Sequence, residues 1–168
     1  SDAEVRVTEL ERDADDAKDA YTGAQTVKNA ADAVAAKAVD WQKAANFYNS
    51  LEESTNTTAL QTTVTEKQTA YKTAAIAAGI NAHQVAATPE AAVAQANSLL
   101  TPGVSQDKID SAVKTANEWK AAADALNTAQ TKLNDAKASA STKKSLYESA
   151  VSSYNSAASS SVIAASTP

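Results

Sequence analysis

The sequence predicts an all-α fold, and three observations carry that prediction. Glycine and proline number only three each in 168 residues, so turns are few and elements long. Alanine, serine and threonine dominate, and most of the rest are good helix formers such as Lys, Gln and Glu. Apolar residues recur in alternating steps of four and three over long stretches, the heptad spacing of paired helices. Large aliphatics are sparse and there is one Phe. Alanine buries little area, and apolar stabilisation scales with area at roughly 25 cal/mol per Å². A wide core is therefore out of reach, and the expected shape is long and thin.

The first helix is expected from about Asp2 to about Glu53, some ~75 Å at 1.5 Å per residue. Its stripe is Ala3, Val7, Leu10, Ala14, Ala17, Tyr21 and Ala24. A second consecutive step of three leads to Val27, and the pattern resumes through Ala31, Val34, Ala38, Trp41, Ala45 and Tyr48. Two successive steps of three form a stammer, a local overwinding. The segment ESTNTT (53–58) interrupts the pattern with residues that favour caps and turns. A second helix follows from about Thr58 to Ala78, closed by Gly79 with Ile80 beyond it. Thr88-Pro89-Glu90 starts a third helix, with a capping hydroxyl, proline at the first position and an acid in the first turn. That helix runs to about Leu100 and stops at Thr101-Pro102-Gly103. Ser105 caps the fourth, which continues to around Ala157 with the stripe Ile109, Ala112, Ala116, Trp119, Ala123, Leu126, Ala129, Leu133, Ala136, Ala140, Lys143, Tyr147, Ala150, Tyr154 and Ala157. The tail SSVIAASTP reads as frayed or linker-like.

Two architectures accommodate these elements. In the preferred one, helices 1 and 4 form an antiparallel coiled-coil stalk (residues 1–40 and 120–160) and helices 2 and 3 lie in a small helical head (41–119), with 161–168 as tail. The alternative is an up-down-up three-helix bundle with helices 1 and 4 parallel. Charge favours the first. Residues 1–20 hold eight acids against three bases, a local −5 that equals the net charge of the whole chain. If Glu53 lies near Ser105, paired positions sum to about 158, and Asp13 to Asp16 face residues 142–145 with Lys143 and Lys144. Lys137 then faces Asp19 to Tyr21. Opposed sign patterns select pairings even though each exposed pair contributes only ~0–1 kcal/mol. The same register sets Trp41 near Trp119 and gathers Phe47, Tyr48, Leu51, Leu60, Tyr71, Ile76, Ile80, Val85, Val93, Leu99, Leu100 and Ile109 in the head.

The chemistry-bearing residues point away from catalysis. Without cysteine there are no disulfides, thiolate metal sites or thiol nucleophiles. The single histidine, His83 in INAHQ, reads as a capping or solvated loop residue, and a lone His excludes multi-His metal sites. The run Asp13, Asp15, Asp16 with Asp19 lacks the turn and alternating ligands of a calcium loop and reads as a solvated helix face. No phosphate-binding glycine loop occurs. An acidic chain without a basic stripe does not suit nucleic acid, and no apolar run reaches a membrane span. No catalytic, cofactor or metal residue is assigned, and no cofactor is expected.

Other patterns are weaker. Thr58, Thr62, Thr65, Thr69 and Thr73 share one face of the second helix; Thr58/Thr69 and Thr62/Thr73 are eleven apart, which resembles the threonine spacing of alanine-rich antifreeze helices over about sixteen residues, interrupted by Lys67 and Lys72. A hydroxyl-lined surface or helix contact is the simpler reading. Asn56-Thr57-Thr58 is a glycosylation sequon. Position 1 is not Met, so the sequence is read as a mature or trimmed segment with a signal peptide removed. The Ser-rich end from Ser152 to Ser161 suits a linker toward a wall or another domain.

The Ala/Ser/Thr-rich style resembles helical regions of bacterial surface adhesins. That resemblance implies a non-enzymatic extracellular or cell-surface module, a spacer or protein-interaction domain. It would present a helix face, or the loop Ile80 to Thr88, to a protein partner or host ligand. The alternative is a cytosolic or phage coiled-coil assembly subunit, self-associating through its seam.

Overall fold

A computed structural model describes the backbone of residues 1–166 and the side chains of residues 1–161. The described residues form α1 (Asp2–Ser54), α2 (Thr57–Ala77), a 3-10 turn (Ala82–Gln84), α3 (Pro89–Asn97) and α4 (Gln106–Ser166). No strand occurs among them. The chain divides into two compact units: Ser1–Asn49 with the part of α4 from Ala136 onward, and Ser50–Asp135.

The first unit is an antiparallel pair. Trp41 of α1 meets Tyr147 of α4 with ring centroids 5.3 Å apart, and Lys144 Nζ lies 6.0 Å from the centre of the Trp41 ring. A methyl group at Gly23 would come 3.6 Å from Ser161 Oγ. Early residues of α1 thus meet late residues of α4, which excludes the parallel arrangement of an up-down-up bundle. The fold is all-α, with the first and last helices paired as a hairpin and a small helical unit built round α2 and α3.

The half-covered positions of α1 are Gly23, Val27, Ala30, Val34, Lys37, Trp41, Ala44, Tyr48 and Leu51, a strict heptad, with Ala38 and Ala45 beside them. Ala24 and Ala31, expected on the seam, are exposed, so the covered seam of α1 runs without a stammer. On α4 the expected stripe is covered throughout, Lys143 included. No residue of α1 is fully buried. Two helices shield each other on one side only, and alanine knobs are too short to close that seam.

The register differs from the expected one. Trp41–Tyr147 and Gly23–Ser161 pair positions whose numbers sum to about 186, not 158. Asp13 to Asp16 therefore do not meet Lys143 and Lys144, Lys137 does not reach Asp19, and Trp41 is not beside Trp119. Carried back along α1, this register places no described residue opposite the first acids, and residues 1–22 are all exposed.

The second unit shows why. The expected register sets Glu53, where ESTNTT breaks the pattern, near Ser105. Instead only Thr55 and Asn56 leave the helix, and Asn56 starts α2 at once, its Oδ1 accepting from the Ala59 N–H at 2.9 Å. From there α2 also runs antiparallel to α4: Lys67 pairs with Glu118 at 3.3 Å, and the Tyr71 and Trp119 rings lie 6.0 Å apart. The reversal is made by residues 79–105, which hold α3.

The core of this unit is Tyr71, Ala74, Ala75, Ala78, Ala92, Ala96, Ala112, Ala116 and Trp119. Seven alanines let α2, α3 and α4 approach closely around two aromatic rings. The expected cluster of bulky side chains is only partly realised. Ile80, Val85, Val93 and Leu99 flank the core, but Leu100 is 90% exposed, Phe47 63% and Ile76 44%. α2 ends as expected: Gly79 takes φ +96°, its N–H donates to the Ile76 carbonyl, and the Ile80 N–H donates to that of Ala75. Thr88 caps α3 by accepting from the Ala91 N–H at 3.2 Å, with Pro89 at its first position. α3 stops at Asn97, before Leu100. α4 continues as helix through Ser166, beyond the expected Ala157; positions 167 and 168 of the tail lie outside the described residues.

Candidate functional site

Four surfaces carry the residues that the sequence singles out. The first is the amino-terminal part of α1. Its helix formers and acids make a regular helix, with Asp2 and Glu4 in the first turn where the helix dipole favours negative charge. Asp13, Asp15, Asp16 and Asp19 all lie on that helix and face solvent. Among the described residues no group of three or more His, Asp or Glu side chains could hold a metal ion. Alongside the acids, Val7 is 54% exposed, Leu10 61% and Tyr21 70%. With Ala3, Ala14 and Ala17 they form an uncovered heptad face.

The second surface is the loop from Ile80 to Thr88. Asn81 Oδ1 accepts from the His83 N–H at 3.0 Å, which closes a single 3-10 turn and leaves the His83 side chain exposed. Sequence reasoning missed the residue that holds this loop, Gln95 of α3. Its Nε2 donates to the Gln84 carbonyl at 2.6 Å, while its Oε1 accepts from the Ala86 N–H at 2.9 Å and from the Tyr71 hydroxyl at 2.8 Å. One amide thus joins the loop, α2 and α3. The signal was thin: Gln95 is a single amide on the short alanine-rich segment that also buries Ala92 and Ala96. Burial raises the pKa of the Tyr71 phenol above its ordinary value.

The threonine face of α2 is the third. Thr58, Thr62, Thr65, Thr69 and Thr73 are all exposed. Thr62, Thr65 and Thr69 donate their hydroxyls to the carbonyls of Thr58, Gln61 and Thr65, at 3.0, 3.1 and 3.0 Å. Those three protons are spent on the helix, so Thr62, Thr65 and Thr69 offer acceptors to the solvent. Thr57, Gln61, Glu66 and Gln130 join Thr58, Thr62 and Thr65 along an open groove of about 500 Å³. The fourth surface is the α1–α2 break, where Asn56 of the sequon is exposed and serves as the helix cap. A smaller groove of about 370 Å³ lies beside it, between Leu51 and Thr55 on one side and Ala125, Ala129 and Lys132 on the other.

The acids belong to the first unit, and His83 and the threonines to the second. No described helix is long and apolar enough to cross a membrane. No family model matches the chain, and no curated protein or solved structure matches it either.

Proposed function

We propose that this chain is a non-enzymatic extracellular or cell-surface module, a helical spacer that meets a protein or surface partner through an exposed helix face. The observation that carries the reading is the amino-terminal face of α1, where Val7, Leu10 and Tyr21 stand more than half exposed at heptad spacing. Helices present such a stripe to other helices. Supporting it is the pairing of residues 23–48 of α1 with the part of α4 from Ala136 onward through a thin seam, a construction that supplies exposed surface rather than an enclosed pocket. The adhesin-like composition adds the expected location.

The test is to add an epitope tag to the protein at its own locus in its source cell, with whatever segment precedes Ser1 left in place, fractionate, and treat intact cells with protease. Recovery in the envelope or medium, with the tag cleaved from outside, is the expected result. Recovery only in the cytosol overturns the surface assignment. The second reading, a cytosolic or phage coiled-coil assembly subunit, would then take its place, supported by the same uncovered stripe.

A further inference from the structure

We propose that the uncovered face of residues 3–21 pairs with the same face of a second copy of this chain, side by side and parallel. The inference deepens the interaction reading above and rests on it in giving that face a partner.

This face is not the end of the hairpin seam. Stepping back from Gly23 in threes and fours, the seam of α1 would fall on Ala20, Asp16, Asp13 and Glu9. The apolar stripe falls one residue later, on Tyr21, Ala17, Ala14 and Leu10. One residue is about 100° of rotation in an α-helix. The stripe therefore points to a side of α1 that its intramolecular partner does not take, and residues 1–22 are exposed all round.

The flanking charges name the occupant and its direction. Val7, Ala14 and Tyr21 occupy one core position of the heptad, and Ala3, Leu10 and Ala17 the other. A β-branched residue at the first and Leu at the second, as in Val7 and Leu10, is the preference of parallel dimers. Arg6 and Asp13 flank the stripe on one side; Glu4, Glu11 and Lys18 flank it on the other. In a parallel pair, a residue on the first flank meets the residue five further on along the second flank of its neighbour. Arg6 then meets the partner's Glu11, and Asp13 meets the partner's Lys18. Both pairs attract, and the twofold symmetry makes each twice. An antiparallel pair would set each flank against itself: Glu4 would meet the partner's Lys18, but Glu11 would meet the partner's Glu11 and Asp13 the partner's Asp13, so repulsion offsets the attraction, whereas both parallel pairs attract.

The remaining acids, Asp2, Glu9, Asp15, Asp16 and Asp19, lie on the outer positions. Two copies still bring together twice the local charge of −5. The association is therefore weak, and it tightens as salt screens that net charge. A basic helical partner would show the opposite salt dependence.

The experiment is sedimentation equilibrium of the full chain from 10 μM to 1 mM, in 50 and 500 mM NaCl. The expected result is a reversible monomer–dimer equilibrium whose dimer fraction rises at least threefold with salt. Leu10→Asp, at an exposed position, leaves the helical circular dichroism unchanged and abolishes the dimer. Arg6→Glu weakens the dimer at least threefold, and adding Glu11→Arg restores it. Because the chain has no native cysteine, a spin label on Asp2→Cys reads direction: about 20 Å or less between copies for parallel pairing, and above about 30 Å for antiparallel, from a 20-residue offset. A monomer throughout, a dimer indifferent to Leu10→Asp or to the charge reversals, or a long label distance overturns the proposal. So does binding of a synthetic lysine-flanked heptad peptide by a chain that stays monomeric. These readings use purified protein, so their failure is separate from failure of the surface assignment in cells.

Discussion

Gly79 and Gln95 each do a task that no neighbour can take over. Gly79 ends α2 at φ +96°, where an L side chain is strained by about 1–2 kcal/mol, and a methyl there would also sit 3.5 Å from Thr101 Cγ2. Gly79→Ala is expected to lower stability by about that amount in urea titration followed by Trp119 fluorescence. Gln95→Ala leaves the Gln84 carbonyl, the Ala86 N–H and the Tyr71 hydroxyl without their partner. A loss of about 1–3 kcal/mol is expected, with faster amide exchange at Ala86. Tyr71 adds a pH dependence. Its folded pKa lies above the ordinary 10.0, so the unfolded chain ionises first as pH climbs past that value. The stabilisation is whole below pH 10 and lost as pH rises through the folded pKa. Tyr71→Phe is expected to flatten the alkaline limb of the stability curve relative to the parent. A glycine before a hydrophobic residue announced the cap from sequence. The Gln95 network was not legible, because its three partners come together only when α2, the loop and α3 are folded.

At the scale of elements, the pairing of α1 with α4 makes a sharp distance prediction. Spin labels replacing Lys43 and Ser145, close to the Trp41–Tyr147 contact, are expected within about 20 Å, given helix axes 8–10 Å apart. Labels replacing Asp15 and Lys143 are expected near ~42 Å, because the observed register offsets them by about 28 residues at 1.5 Å each. A short distance for the second pair would restore the acid-to-lysine pairing. The stripe of α4 was legible residue by residue, since apolar spacing alone marks a helix face. The stripe of α1 was legible only in part from Val27 onward: Val27, Val34, Ala38, Trp41, Ala45 and Tyr48 are covered, but Ala31 is exposed, and Ala30, Lys37 and Ala44 complete the seam. Before Val27, the apolar residues follow a face that α4 does not cover, and reading both faces as one seam produced the stammer. The interruption at Thr55 and Asn56 misled for a related reason. Cap residues show that one helix stops and another starts; they do not show whether the chain turns back.

For the whole molecule, burial divides the stability. The second unit holds the cluster of Tyr71, Trp119 and seven alanines, whereas Ala136 is the buried residue of the first among the described side chains. Local opening is easier where little apolar area is buried. Hydrogen exchange is therefore expected to be slowest in residues 64–78 and 109–126, faster in 23–48, and fastest in 2–20, a helical segment without a covering partner. Slower exchange in 2–20 at millimolar protein would be the mark of the parallel dimer.

The sequence by itself determined the helical class, the caps at Gly79 and Thr88 and the face of α4 that forms its seam; it favoured the antiparallel sense of the hairpin through acid–lysine pairs that do not form, and the Trp41–Tyr147 and Gly23–Ser161 contacts decided it. Tertiary structure alone decided the register. The expected and observed sums, about 158 and about 186, differ by 28 residues, four whole heptads, and a heptad pattern is nearly unchanged by a slide of seven. Exposed acid–lysine pairs favoured one slide, but each contributes only ~0–1 kcal/mol. The other slide lays α2 along α4 and buries Tyr71, Trp119 and the alanines around them. That apolar area outweighs the surface charges, and it leaves the acids of residues 1–20 facing solvent.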